Sequence, residues 1–161
     1  MSKIENQNVP MAATIAQVSA GTNDETFVTP KGLAGSIMGK KYMQQLISSG
    51  VMATGDSRWG FCIPSGFNGM KLVDVILWAG IAGTTNTATV QIRNATTSAD
   101  MLTTRVSLDS GEKTSLTATT PFVIDTNNDD VTAGDLIAID VDAVHTTPAQ
   151  FWGIVLVFQL P

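Results

Sequence analysis

The sequence predicts an all-β fold, in which residues 51–161 form an antiparallel β-sandwich of the jelly-roll type after an N-terminal arm and a helical attachment segment in residues 1–50. Three observations lead to this prediction. Apolar and polar residues alternate with a period of two in several segments after residue 51. Clusters of turn-forming residues separate those segments. Only 14% of the residues are charged, and small and β-branched residues are abundant.

The first part of the chain predicts an arm followed by a short helix. Residues 1–10 are polar and offer too little apolar surface to fold alone, so we expect an extended arm there. Thr14 and Gln17 have the spacing of a capping box, and Gly21 is placed to end the helix that they begin. Residues 22–25 have the composition of a turn.

A second helix is predicted to begin at Thr29, an N-cap residue, followed by Pro30 at the first helical position. Its interior contains Gly35 and Gly39, each of which weakens a helix by about 1 kcal/mol relative to alanine. We therefore expect this helix to need a partner surface, with residues 48–50 ending it as a linker. Its apolar face would consist of Leu33, Ile37, Met43, Leu46 and Ile47.

The second part of the chain predicts about six to eight short strands, the number used by two-sheet folds. A turn at Gly134 and Asp135 leads directly into an alternating strand, which favours a jelly roll, and the immunoglobulin-type Cys…Trp…Cys spacing is missing. The tryptophans at positions 59, 78 and 152 are interpreted as core or interface residues rather than as a sugar platform. The strand candidates are residues 71–79, 87–94, 101–108, 121–125, 136–142 and 151–160.

Two of these strands have clearly different faces. In residues 136–142, the side chains of Ile137, Ile139 and Val141 should face the core, while Asp140 and Asp142 should lie on an exposed face. In the last strand, one face should hold Trp152, Ile154, Leu156, Phe158 and Leu160.

The sequence contains no convincing catalytic or metal-binding set. His145 is the single histidine and is expected to be a solvated loop residue, while Cys62 is the single cysteine. The acidic stretch 125–130 does not fit the calcium-loop pattern and is predicted to form a turn. Asp140 and Asp142 are interpreted as solvated residues on an exposed strand face rather than as the carboxylate pair of a glycosidase. We therefore expect no enzyme activity, no metal and no cofactor.

Charge and hydropathy exclude two classes of partner. The net charge is −5, and the acidic excess lies in residues 51–161, which contain eleven acidic and five basic side chains. An acidic domain repels a phosphate backbone, so we expect no nucleic-acid partner. The longest apolar stretch, residues 152–158, is too short to span a bilayer, and the N-terminus lacks the apolar run of a signal peptide. These features predict a protein made in the cytoplasm.

Residues 13–33 resemble the short repeat of phage tail fibres and head fibres. The matching residues are Gly21-Thr22, Asn23-Asp24 and Val28-Thr29-Pro30-Lys31, whereas Gln17 stands where that family commonly has an acidic residue. The second half is similar, at the level of the fold, to small jelly-roll modules of phage fibres, cement proteins and head decorations. Together these resemblances imply a virion protein, commonly a homotrimer in such families.

The expected function is therefore that of a structural protein of a bacteriophage virion: a capsid decoration, cement or head-fibre protein anchored by its N-terminal segment on the major capsid protein or another virion subunit. The alternative is a tail-fibre tip or receptor-binding protein, whose loops 80–86, 94–100 and 144–150 would contact a host-surface glycan or protein. A third hypothesis is a carbohydrate-active enzyme or a lectin module. The residues expected to make the attachment are Val9, Pro10, Thr14, Gln17, Val18, Gly21, Thr22, Phe27, Val28, Thr29, Pro30 and Leu33.

Overall fold

A computed structural model describes residues 11–21 and 27–161. The chain divides into two compact units, an N-terminal unit (residues 1–40 with 160 and 161) and a β unit (residues 41–159). The predicted arm, residues 1–10, and the predicted turn, residues 22–25, lie outside the described residues. Most of the described chain forms antiparallel strands, and the all-β prediction is confirmed.

Helical structure is short and lies mainly in the N-terminal unit. That unit contains two α-helices, α1 (Ile15–Ala20) and α2 (Pro30–Ala34), and a 3-10 turn at Ile37–Gly39. The β unit contains two further 3-10 turns, Ser65–Phe67 and Ser115–Thr117.

The strands follow one another closely along the chain. They are β1 (Lys40–Val51), β2 (Gly55–Cys62), β3 (Met70–Ile81), β4 (Ala88–Asn94), β5 (Ala99–Asp100), β6 (Leu102–Thr104), β7 (Val106–Leu108), β8 (Val123–Ile124), β9 (Asp130–Val131), β10 (Leu136–Ala143) and β11 (Gln150–Gln159).

Two main sheets are formed by strands that lie far apart in sequence. The first sheet has the order β1-β11-β3-β9, and the second has the order β2-β10-β4-β5, with β7 also paired to β4. A separate small sheet consists of β6 and β8. Side chains from both main sheets meet in one hydrophobic core.

The residues predicted to face the core from the last two long strands are buried, apart from Leu160, but burial does not alternate along either strand, since Ala138 and Asp140 are buried as well. Ile137, Ile139 and Val141 of β10 are buried, as predicted from their period-two spacing. In β11 the face that holds Trp152, Ile154, Leu156 and Phe158 is completely buried, and the Trp59 ring packs edge-to-face on that of Trp152 with centroids 5.1 Å apart. Leu160 was wrongly placed on this face, because the strand ends at Gln159 and the Leu160 side chain is exposed.

The second helix was predicted wrongly. Helix α2 ends at Ala34, and residues 40–51 form the long strand β1 instead of the continuation of a helix. Met43 and Ile47, four residues apart, fit a strand as well as a helix, and both pack against the core on one side of β1. The chain turns at Gly39, where a Cβ atom would lie 1.9 Å from the carbonyl oxygen of Ala34. The predicted boundary after residue 50 lies near the end of β1, whereas the compact units divide after Lys40.

The prediction of a single strand over residues 101–108 was also wrong. The segment is interrupted at Arg105, and its two halves pair with different partners: β6 with β8, and β7 with β4. The amide of Gln91 donates a hydrogen bond of 2.9 Å to the carbonyl of Leu102, which gives β6 a contact with β4 outside the sheet ladder.

Candidate attachment site

Both helices of the N-terminal unit begin where the sequence predicts, and α1 also ends there. The Thr14 hydroxyl accepts a hydrogen bond of 3.2 Å from the N–H of Gln17, and the side-chain oxygen of Gln17 accepts one of 2.9 Å from the N–H of Thr14. Gly21 ends α1 in the left-handed conformation, with φ of 63°. At α2, the Thr29 hydroxyl accepts the N–H of Gly32 at 3.0 Å, with Pro30 at the first position. The capping predictions are confirmed.

Backbone contacts and glycines hold the pieces of this unit together. The N–H of Ala13 donates to the carbonyl of Phe27 at 2.9 Å, and the Ser19 hydroxyl accepts from the N–H of Ile37 at 3.2 Å. A Cβ atom at Gly35 would lie 2.8 Å from the Ile15 side chain, so the helices approach closely where a glycine leaves room.

Apolar side chains of the N-terminal unit lie on its surface. Among its described residues only Gly32 and Ser36 are buried, and neither contributes an apolar side chain. Burying one large apolar side chain contributes about 1.5–3 kcal/mol, and this unit lacks that contribution in the described part of the chain. Its exposed large apolar residues are Met11, Ile15, Phe27, Val28, Leu33, Ile37, Met38 and Leu160, which we call the apolar surface.

The structure brings most of the predicted attachment residues into this unit. Phe27, Val28 and Leu33 belong to the apolar surface and are 50%, 51% and 42% exposed. The other described members cap or form the helices: Thr14, Gln17, Val18, Gly21, Thr29 and Pro30. Val9, Pro10 and Thr22 lie outside the described residues.

Several members of the apolar surface were missed from the sequence. Ile37 was assigned to the face of a long helix, and Met38 and Met11 were not selected. The signal available for Ile37 and Met38 was Gly39, since a glycine weakens a helix and favours a turn there. The exposure of Ile15 could not be predicted, because Ile15 begins a regular helix and the sequence does not show which face of that helix is covered.

The outer face of the second sheet corrects the prediction for Asp140. Its carboxylate is buried and accepts a hydrogen bond of 2.9 Å from the Nε of Arg93 on β4, and it also accepts the N–H of Ser57. Asp142 is more exposed and pairs with Arg105. Each of the two carboxylates is thus paired with an arginine in the described structure. This arrangement differs from the predicted solvated carboxylates and from the two free carboxyl groups that a glycosidase would need.

His145 is also placed differently from its prediction. It is 1% exposed, and its imidazole packs on the backbone of Gly83, where a Cβ atom would lie 2.2 Å from Nδ1. Its Nε2 lies 3.4 Å from the carbonyl oxygen of Asp109, while Nδ1 has no hydrogen-bond partner in the described chain. The loop that carries His145 is therefore packed between two other loops.

The acidic stretch 125–130 forms a turn that its own side chains stabilise. The Asp125 carboxylate accepts the N–H of Asn127 at 3.0 Å and the amide of Asn128 at 2.7 Å. These bonds, led by the Asn127 N–H, lower the pKa of Asp125. Asp129 pairs with Lys71 at 2.9 Å, and this bond is the main cause that raises the pKa of Lys71.

Within residues 11–21 and 27–161, no group of three or more His, Cys, Asp or Glu side chains is arranged to hold a metal ion. None of the helices in those ranges has the length and apolar character needed to cross a bilayer. Comparisons with family models, with curated proteins and with solved structures gave no match to this chain.

Proposed function

We propose that this protein is a structural component of a bacteriophage virion, a capsid decoration, cement or head-fibre protein. Its N-terminal unit binds the major capsid protein or another virion subunit. The protein is made in the host cytoplasm and assembles as a homotrimer on the particle.

The apolar surface is the observation that carries this proposal. A unit with capped helices and close backbone contacts, but with no apolar side chain buried in its described part, gains its hydrophobic stabilisation from a second surface. Attachment to a large assembly supplies such a surface. Binding to the folded chain then stabilises both partners by mass action.

We further propose that the β unit is a jelly roll, and the strand order supports this. A jelly roll can be described as one long hairpin of eight strands that is folded into two layers, in which the first strand pairs with the last and the second with the next to last. The eight strands here are β1, β2, β3, β4, β5, β9, β10 and β11. The observed neighbours β1–β11, β2–β10, β3–β9 and β4–β5 are these four pairs. They alternate between the two main sheets, as folding such a hairpin into two layers requires.

Three copies around a threefold axis of the particle would make heterologous contacts that close into a ring. Sedimentation of the full chain, free and bound to particles, tests the trimer.

The alternative is a tail-fibre tip or receptor-binding protein, and one observation favours it. Thr84 and Thr147 form an antiparallel bridge, with a hydrogen bond of 3.0 Å from the N–H of Thr84 to the carbonyl of Thr147, so loops 80–86 and 144–150 form one surface. Loop 94–100 begins at the other end of β4 and does not belong to that surface.

The copy number of the chain per particle separates the two functions. A decoration protein is present in hundreds of copies, and particles that lack it lose resistance to heat or osmotic shock while adsorbing to cells normally. A few to tens of copies, with adsorption lost and capsids unharmed, would replace the decoration function by the receptor-binding one. Quantitative mass spectrometry of purified particles measures this number directly.

A further inference from the structure

A polar groove lies on the β unit, outside the apolar surface. Its volume is about 400 Å³, within the range of small-molecule pockets, about 300–1,000 Å³. Strands β4, β6 and β7 and the segments beside them form its walls. The lining residues are Thr87, Thr89, Thr103, Thr104, Arg105, Ser107, Asp109 and Thr120.

Six of the eight lining residues carry a hydroxyl group, and several of these hydroxyls are unused. Those of Thr89, Thr104 and Thr120 form no side-chain hydrogen bond within the part of the chain that the structure describes. The Thr87 hydroxyl donates to Asp109 at a long 3.3 Å. A hydroxyl can donate one hydrogen bond and accept two, so this wall offers donors and acceptors side by side.

Charged groups stand at two places in the groove. The Asp109 carboxylate accepts the backbone N–H of Thr119 at 2.8 Å, and this bond is the main cause that lowers the pKa of Asp109. Arg105 uses its Nε for Asp142, which leaves the terminal amino groups of its guanidinium available. The Asp109 carboxylate lines the groove, and the Asp142 carboxylate beside it neutralises Arg105, so the local charge does not favour an anionic ligand.

These features select a ligand class. A neutral ligand rich in hydroxyl groups can donate to the Asp109 carboxylate, accept from Arg105 and exchange hydrogen bonds with the threonines. Phosphate-bearing ligands are repelled by the carboxylates and by the acidic β unit. An apolar ligand would leave the hydroxyl wall without partners, and leaving polar groups unsatisfied on burial costs free energy.

We propose that this groove binds a neutral carbohydrate through the hydroxyls of Thr89 and Thr104, the guanidinium of Arg105 and the carboxylate of Asp109. The groove lies entirely in the β unit, so binding does not depend on attachment of the N-terminal unit. A virion protein with such a groove would hold the particle on glycan-coated surfaces in addition to its structural role.

The test titrates the full chain with lactose, cellotriose and chitotriose as neutral probes and with sialyllactose as an anionic probe, up to about 10 mM each. Backbone amide signals in an NMR spectrum report where a sugar binds. We expect at least one neutral sugar to shift the signals of residues 87–89 and 103–109, and sialyllactose to bind more weakly than lactose.

Two variants assign the binding to the groove. Thr89→Val and Thr104→Val keep the branched shape and remove one hydroxyl each, and we expect each to weaken binding about 5-fold. Thr117→Val changes an exposed threonine outside the groove and should leave affinity unchanged. Unaltered melting temperatures show that the variants fold.

Three outcomes would overturn the proposal: no shift with any neutral sugar, binding of sialyllactose alone, or equal affinities of the Thr89→Val, Thr104→Val and Thr117→Val variants. None of these outcomes bears on copy number or particle stability, so the virion function would stand or fall separately.

Discussion

At the scale of a residue, two ion pairs of β10 show how burial determines how much an ion pair contributes to stability. Arg93–Asp140 and Arg105–Asp142 both join an arginine to a carboxylate of β10. The Asp140 side chain is only 9% exposed, whereas that of Asp142 is 33% exposed. Loss of a partner is costly for a buried charge and nearly neutral for a solvated one.

We therefore predict different effects for two matched substitutions. Arg93→Met leaves the Asp140 carboxylate buried with one fewer partner and should lower the free energy of unfolding by about 2 kcal/mol. Arg105→Met exposes Asp142 further to water and should lower it by less than about 1 kcal/mol. Urea denaturation of the three proteins measures both values.

The double variant Arg93→Met/Asp140→Leu provides the control. It removes the orphaned charge and should recover part of the stability lost in Arg93→Met. Equal losses for Arg93→Met and Arg105→Met would contradict this account of Asp140.

The burial of Asp140 and His145 could not be predicted from local sequence. Asp140 is covered by Arg93 and Ser57, and His145 packs against Gly83 and Asp109, all of them far away in sequence. Their own neighbours in sequence resemble an exposed strand and a loop. By contrast, Thr14 and Gln17 were assigned correctly, because a capping box is formed within four residues.

At the scale of an element, close packing of strands fixes some residues of β2. Gly60 lies opposite Ala138 of β10, and a Cβ atom at Gly60 would lie 2.5 Å from the carbonyl oxygen of Ile137. Backbone cannot give way as a flexible side chain can. The strand therefore requires glycine at this position.

Gly60→Ala should lower the free energy of unfolding by about 2 kcal/mol, because the methyl group forces β2 away from β10. Gly66→Ala is the matched control. The nearest atom to a Cβ there is the Lys41 Nζ at 3.7 Å, so we expect a change of less than about 0.5 kcal/mol. Thermal unfolding of both variants tests the contrast, and equal melting temperatures would refute it.

The turn at Asp125 predicts a pH dependence. Its pKa is lowered in the folded state from the ordinary value of 3.8, so its stabilising contribution is fully present above 3.8 and is lost as the pH falls through the lower, folded value. Asp125→Asn should be less stable than the parent at about pH 6, and the difference should shrink towards about pH 2.5. Denaturation at both pH values measures this, and a constant difference would contradict it.

The strands β3, β4, β10 and β11 and the starts of the capped helices could be predicted, whereas β1 and β2 could not. In β10 and β11 large apolar residues recur at every second position, and these residues are the ones that the structure buries. In β1 the residues Met43 and Ile47 lie on one side both of a helix and of a strand, and the partner strand β11, more than a hundred residues later, decides between them. The polar groove escaped prediction because its threonines come from separate segments.

At the scale of the whole molecule, the two units of the described chain differ in how much apolar surface they bury. The β unit encloses one core built from both main sheets, while the N-terminal unit exposes its large apolar side chains. This asymmetry is the physical basis for proposing that the N-terminal unit is completed by another surface.

Rebinding of the purified chain to particles assembled without it tests this claim most directly. Phe27→Ser/Leu33→Ser removes two exposed side chains of the apolar surface, and we predict affinity at least about 100-fold weaker than that of the parent. Leu116→Ser, which changes an exposed leucine of the β unit, should bind as the parent does. Parental affinity of the Phe27→Ser/Leu33→Ser protein would contradict the attachment role of the N-terminal unit.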